Sequence, residues 1–219
     1  MTFPTLIVLL VLLLLALPVL LRFLKILVAR CVVGEGLKAI GKDALAKQAE
    51  SIHLSRLTSA PWQDPAAVER LAAPLLGRGF SATGDYSIAE MPGVLVRFLM
   101  NTEQFAYACL YEHPKAGIWI ELATRYQDGT GATFTMMRNR GIEHRPQNTV
   151  VHMPGAAPDE LLDRMLRERP AKPPVPLSAE VVVSLFESAY REQLAWQKNK
   201  GGLSAKEVAR VIVTREKSA

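Results

Sequence analysis

The stretch VLVRFLMNTEQFAYACLYEHPKAGIWIELATR, residues 94–125, decides the fold. It is rich in Val, Ile, Leu, Phe and Tyr. Two clusters of turn residues interrupt it, Asn101-Thr102-Glu103 and His113-Pro114-Lys115-Ala116-Gly117. Branched and aromatic side chains suit a pleated, half-buried backbone, and short polar clusters between such runs mark hairpins. Met91-Pro92-Gly93 before it and Asp128-Gly129-Thr130-Gly131 after it repeat the signal. Residues from Phe80 to Met137 therefore predict an antiparallel meander of four or five strands. Asn148 to Met153 adds a short further strand.

Helical patterns flank the meander. Asp64-Pro65 has the form of an N-cap and first helical residue, for a helix that runs to Leu76 and stops at Gly77-Arg78-Gly79. Downstream, helices are predicted from Pro158 to Arg169 and from Ser178 to Lys198. In the second, Val182, Leu185, Phe186, Ala189 and Gln193 recur at the spacing of one face. The proline-rich segment from Pro170 to Pro176 between them reads as an extended connector. Ser204-Ala205-Lys206-Glu207 has capping-box spacing. The expected fold is a single N-terminal transmembrane helix plus an α+β soluble domain, its meander packed by helices. The chain divides into an anchor and flank (1–32), a basic amphipathic juxtamembrane segment (33–59), the α+β domain (60–198) and a tail or short helix (199–219). Within the second segment, Leu37 to Ile52 reads as a short amphipathic helix.

Pairing the hairpins symmetrically about their turns sets Arg97 opposite Ala108, Ala108 opposite Glu121, and Glu121 opposite Met136. Side chains alternate along a strand, so these residues share one face. Leu95, Leu99, Ala106, Leu110, Trp119, Ala123, Arg125 and Phe134 fall on it too. The opposite face, with Val94, Val96, Phe98, Phe105, Tyr107, Tyr111, Ile118, Ile120 and Leu122, is the expected core. Two strand spacings amount to about 9.6 Å, within reach of two long side chains meeting over Ala108. Two readings follow. A helix packs on the alanine floor, with Arg97 and Glu121 as an ion pair. Alternatively the face is a ligand site, with Trp119 as a wall, Arg97 and Arg125 as anion clamps and Glu121 as acid or base.

At the amino-terminal end, Phe3 to Leu21 carry no charge and are almost entirely Leu, Val and Ile. At about 1.5 Å per residue, 19 residues reach roughly 28 Å, close to the ~30 Å hydrocarbon core of a bilayer. Nothing positive precedes the run except the amino terminus, and it is too long for the apolar core of a typical signal peptide, so it reads as a retained anchor. Pro18 inside it is tolerable in a membrane helix. Arg22, Lys25 and Arg30 follow closely and suit lipid headgroups. Because the positive flank follows the span, the amino terminus is expected outside and the body in the cytoplasm. Of the chain's net charge of +5, four units lie between Arg22 and Thr58, where seven basic residues face three acidic ones. The remaining body is close to neutral, which argues against nucleic acid as a partner. Two cysteines, Cys31 and Cys109, make no disulfide framework, in keeping with a reducing compartment.

No Gly-x-Ser-x-Gly elbow and no glycine-rich phosphate loop occurs, and Cys109 in mid-strand reads as a small buried hydrophobe. Glu112-His113-Pro114, Glu143-His144-Arg145-Pro146 and His152 lack the spacing of a metal site. No metal and no cofactor is expected. Two classes of function remain. One is a membrane-tethered cytoplasmic binding or interaction domain, with the bilayer and another protein or a small anionic ligand as partners. The other is a membrane-tethered enzyme acting on a small anionic substrate. A pocket with a desolvated carboxylate favours the enzyme, and a helix lying over the face favours the binding domain.

The anchor is directly testable. Membrane-isolated protein should begin before residue 22 and resist a carbonate wash, and a reporter fused after Ala219 should be active only as a cytoplasmic reporter. Release by carbonate, or activity of a periplasmic phosphatase at that position, rules out the retained anchor or its orientation.

Overall fold

A computed structural model describes residues 33–216. The apolar run at 3–21 and the flanking Arg22, Lys25 and Arg30 lie outside the described residues. Among the described residues, no helix is long and apolar enough to cross a membrane. The described chain is an α+β fold with a seven-stranded sheet and five helices, and it divides into two compact units.

The larger unit, Lys47–Gly201, contains the whole sheet. Its strands are β1 (Leu54–Leu57), β2 (Ser81–Ile88), β3 (Leu95–Asn101), β4 (Ala106–His113), β5 (Gly117–Arg125), β6 (Gly131–Thr135) and β7 (Asn148–His152). They lie side by side in sequence order. Each neighbouring pair is antiparallel except β6 with β7, which is parallel. The meander predicted from Phe80 to Met137 accounts for β2 to β6, and the predicted strand at 148 is β7. β1 is an addition. Its four residues fall just after the segment read as helical to Ile52, where the helix instead ends at residue 46.

Three helices cover the sheet on both sides. Helix α2 (Pro65–Leu76) starts as its sequence predicts, with Asp64 Oδ1 accepting from the Ala67 amide at 2.8 Å and Pro65 in the first turn. Buried Glu112 on β4 accepts from the Gln63 and Asp64 amides and fixes the chain leading into it. Val68, Ala72 and Leu75 of α2 join Leu161, Leu162 and Met165 of α3 (Pro158–Glu168) on one face of the sheet. Beneath them lie Leu99, Ala106, Ala108, Leu110, Ile120, Leu122, Ala132 and Phe134. The small residues in this row let the helices approach closely. Helix α4 (Ala179–Asn199), capped by Ser178, covers the other face. There Val182 joins Tyr86, Ile88, Val94, Val96, Phe98, Tyr107, Cys109 and Ala123. Both faces are therefore core.

The register corrects the pairing expected from sequence. Arg97 pairs with Leu110, Ala108 with Leu99 and Leu122, and Glu121 with Cys109 and Thr135. The physical reason is loop length. The β4–β5 hairpin closes His113 on Gly117 around three residues, with Gly117 at φ 76°. The β5–β6 hairpin closes Arg125 on Gly131 around five. An odd loop shifts pairing by one residue against an even one and turns the next strand over. Only β5 is inverted relative to the expected faces. Ile118, Ile120 and Leu122 go under α2 and α3, and Trp119, Glu121, Ala123 and Arg125 go under α4.

The smaller unit contains α1 (residues 33–46) and α5 (Ala205–Glu216). At Gly41 a Cβ would lie 2.8 Å from Val208 Cγ2 and 2.9 Å from the Leu203 carbonyl oxygen, so this closeness of the helices requires glycine. Ser204 and Glu207 form the expected capping box, Glu207 accepting from the Ser204 amide at 2.8 Å and Ser204 from the Glu207 amide at 3.3 Å.

Candidate functional site

Between the sheet and α4 lies a cavity of about 310 Å³. Its floor comes from strand residues that point toward the helix. One cross-strand row runs Phe98, Cys109, Glu121, Thr135 and His152 over five strands. The row beside it carries Val96, Tyr111 and Trp119. On the far side of Glu121, Tyr107 faces Ala123 and Ala123 faces Thr133. Phe186, Ala189 and Tyr190 of α4 form the roof, and Ile52, Ile88, Met91 and Val94 complete an apolar wall. Tyr111 and Trp119 stack with centroids 4.6 Å apart and planes 13° from parallel.

Glu121 is the acidic group of this cavity, and its hydrogen-bond partners are neutral donors. Oε1 accepts from the Thr135 hydroxyl at 2.9 Å and the Trp119 indole N–H at 3.4 Å, and Oε2 from the Tyr111 hydroxyl at 3.3 Å. Burial pushes its carboxyl above the ordinary 4.5, outweighing these three bonds and the charge of His152. Burial likewise drives the Cys109 thiol and the Tyr111 phenol well above their ordinary values. A thiol so placed is a poor nucleophile, because the thiolate is the reactive form. His152 binds the Met137 carbonyl oxygen through Nδ1 at 2.9 Å, and His144 lies 6.0 Å from it, ring to ring. Burial, then His152, lowers the pKa of His144. No cluster of three or more His, Cys, Asp or Glu suited to a metal occurs among the described residues.

The four residues singled out in the sequence do not form one site. Trp119, Glu121 and Arg125 share the α4 face, and Trp119 and Glu121 line the cavity. Arg97 is on the opposite face. It binds Asp85 through Nε at 2.6 Å and Glu69 of α2 at 2.6 Å, and stands 5.7 Å from the Trp62 ring. Burial alone would raise Asp85, but hydrogen bonds from Arg97 and Trp62 outweigh it and hold the carboxyl below its usual value. Arg125, 7% exposed, gives one nitrogen to Asn148 and another to Glu192 of α4 at 2.7 Å. Arg145 shares that Glu192 oxygen at 2.7 Å. Both expected anion clamps thus have carboxylate partners within the protein, and the pairing of Arg97 with Glu121 over Ala108 is corrected.

The reading from sequence missed Tyr107, Tyr111, Phe186, Ala189 and Tyr190 as site residues. Phe186 and Tyr190 stand at i and i+4 on the long helix, a visible signal. Tyr107 and Tyr111 join Glu121 only once the odd hairpin loop is recognised. No protein-family model, no curated protein and no solved structure matches the chain.

Two outcomes test this arrangement. In double-mutant cycles, Arg97→Met with Asp85→Asn should couple by about 0.5–3 kcal/mol, as residues in contact do. Arg97→Met with Glu121→Gln should be additive within about 0.5 kcal/mol, because the sheet separates them. Denaturant unfolding of the four combinations in each cycle checks both.

Folded Glu121 keeps its proton to higher pH than the unfolded chain does. The cost of ionising it is absent below the ordinary carboxyl value of 4.5 and grows as pH rises through the raised folded-state value. Glu121→Gln should therefore gain stability relative to the parent as pH rises above 4.5, read from unfolding midpoints across that range. A constant difference between the two proteins at all pH values contradicts the desolvated carboxyl.

Proposed function

We propose that this chain is a membrane-tethered binding protein that holds a small, largely apolar molecule between its sheet and helix α4. Residues 3–21 are its anchor, the amino terminus lies outside, and the binding domain lies in the cytoplasm. The observation that carries the binding reading is the cavity of about 310 Å³, a volume typical of small-molecule sites, with mostly apolar walls and a few convergent polar groups. Trp119, Tyr111 and Thr135 orient Glu121 at its floor.

Both sheet faces are under helices, and the cavity lies beneath one of them. That favours a small molecule over a protein docked on the strands. The alternative, an enzyme acting on a small anion, draws support from the desolvated carboxyl in a cavity. It needs a free guanidinium beside that carboxyl, whereas Arg125 is bound to Glu192 and Arg97 lies across the sheet. The tether rests on the uncharged run and on Arg22, Lys25 and Arg30 after it. Exposed Val33 and Ile40 on α1, and Ile212 and Val213 on α5, suit a membrane-proximal position for the smaller unit.

Ala189→Trp puts an indole into the cavity and supplies the test. Full-length parent and variant are isolated from native membranes, checked for cooperative unfolding, and their bound small molecules extracted for mass spectrometry. The parent should carry an apolar species that the variant lacks. Identical small-molecule content in the two folded proteins overturns the reading.

A further inference from the structure

The balance of charge around the cavity points to the chemistry of its ligand. A buried carboxylate is ordinarily paired with a cation or kept neutral. Elsewhere in this unit the acids facing guanidinium groups are paired with them, as Asp85 is with Arg97 and Glu192 with Arg125 and Arg145. Glu121 has three neutral hydrogen-bond donors instead; the imidazole of His152 acts on it only through its charge, and no Lys or Arg lines the cavity. Three donors aimed at one carboxyl suit its ionised form, and an ionised form inside the protein needs an opposite charge. The second observation is the wall. Five of the fifteen lining residues are aromatic: Tyr107, Tyr111, Trp119, Phe186 and Tyr190. Aromatic faces attract cations that are weakly hydrated and carry apolar substituents.

We propose that the cavity takes an organic cation, an ammonium group with apolar substituents, seated against Glu121 and enclosed by the aromatic side chains. This rests on the reading of the cavity as a ligand site and names the class of its ligand. The cation supplies the hydrogen-bonded or contacting positive charge that no Lys or Arg places against Glu121. An anion of the same shape meets that carboxyl without a compensating partner. A neutral isostere keeps the apolar contacts and forgoes both the ion pair and the attraction to the rings. The cavity of about 310 Å³ accommodates an ammonium with one small ring or short chain.

Three probes separate these cases: phenyltrimethylammonium, its neutral isostere tert-butylbenzene, and 4-tert-butylbenzoate, the neutral skeleton with a carboxylate added para to the tert-butyl group. Binding to full-length protein in lipid nanodiscs is measured by equilibrium dialysis against empty nanodiscs. The ammonium should bind at least about tenfold more tightly than the neutral isostere, the scale of one desolvated cation–aromatic contact. The benzoate should bind most weakly. In Glu121→Gln the ammonium should bind more weakly than to the parent, keeping only the part of its advantage that the rings supply, while tert-butylbenzene binds as before, which also reports that the variant is folded. Equal binding of ammonium and isostere to the parent, or tightest binding of the benzoate, overturns the cation assignment and leaves the cavity a ligand site. Binding of none of the three, with Ala189→Trp also unchanged in its extracted small molecules, overturns both readings.

Discussion

The closure of His113 on Gly117 is the constraint on which the rest of the sheet depends. Three residues span the gap, and Gly117 takes a backbone conformation that side-chain-bearing residues rarely adopt. The preceding turn packs against it. Gly93, at φ 82°, lies where a Cβ would be 2.9 Å from Pro114 Cγ. One residue more or fewer in this loop would turn β5 over. Glu121 would then sit between Ala108 and the helices α2 and α3, and Leu122 would face α4. The hairpin thus decides which side of the sheet receives a carboxyl, and with it where a polar ligand contact can exist.

The cavity follows from how α4 is held. The Glu187 carboxyl accepts from the Leu54 amide, the Tyr190 hydroxyl donates to the Ala49 carbonyl oxygen, and Glu192 bridges Arg125 and Arg145. These polar ties fix the helix along the sheet. Beneath it the strands present Cys109, Ala123 and Thr133, which are small, and the helix answers with Ala189. Small residues opposite a small residue, under a helix whose position other contacts fix, leave volume unfilled. The larger rings of Phe186, Tyr111 and Trp119 pack around that volume.

Much of this was legible in the sequence, and the omissions have identifiable causes. Alternating apolar residues and the glycine- and proline-bearing turns give β2 to β6, and Asp64-Pro65 and Ser178 mark helix starts that the structure reproduces. β1 is short, with Ser55 and Arg56 exposed in its middle, so neither composition nor periodicity distinguishes it from a loop. Its place in the sheet comes from pairing with β2, a tertiary contact. The failure at Arg97 and Glu121 is of another kind. Each strand was visible, but the parity of a loop is a backbone property of three residues, and an assumed symmetric turn misplaced every side chain of β5. Trp119, Glu121 and Arg125 stayed together because they belong to one strand. Arg97 separated from them because it belongs to another.

The strand order also bears on how the domain is made. From β2 to β6 every strand pairs with its neighbour in sequence, so each hairpin closes a short loop at small entropic cost. The parallel β7 must first carry the chain across residues 136–147, and α4 must return over strands more than fifty residues earlier. Kinetically, the meander is the part suited to an early nucleus, and α4 is the part suited to late docking. A molecule held beneath α4 then stabilises contacts absent from the transition state. It slows unfolding while leaving the rate of folding nearly untouched.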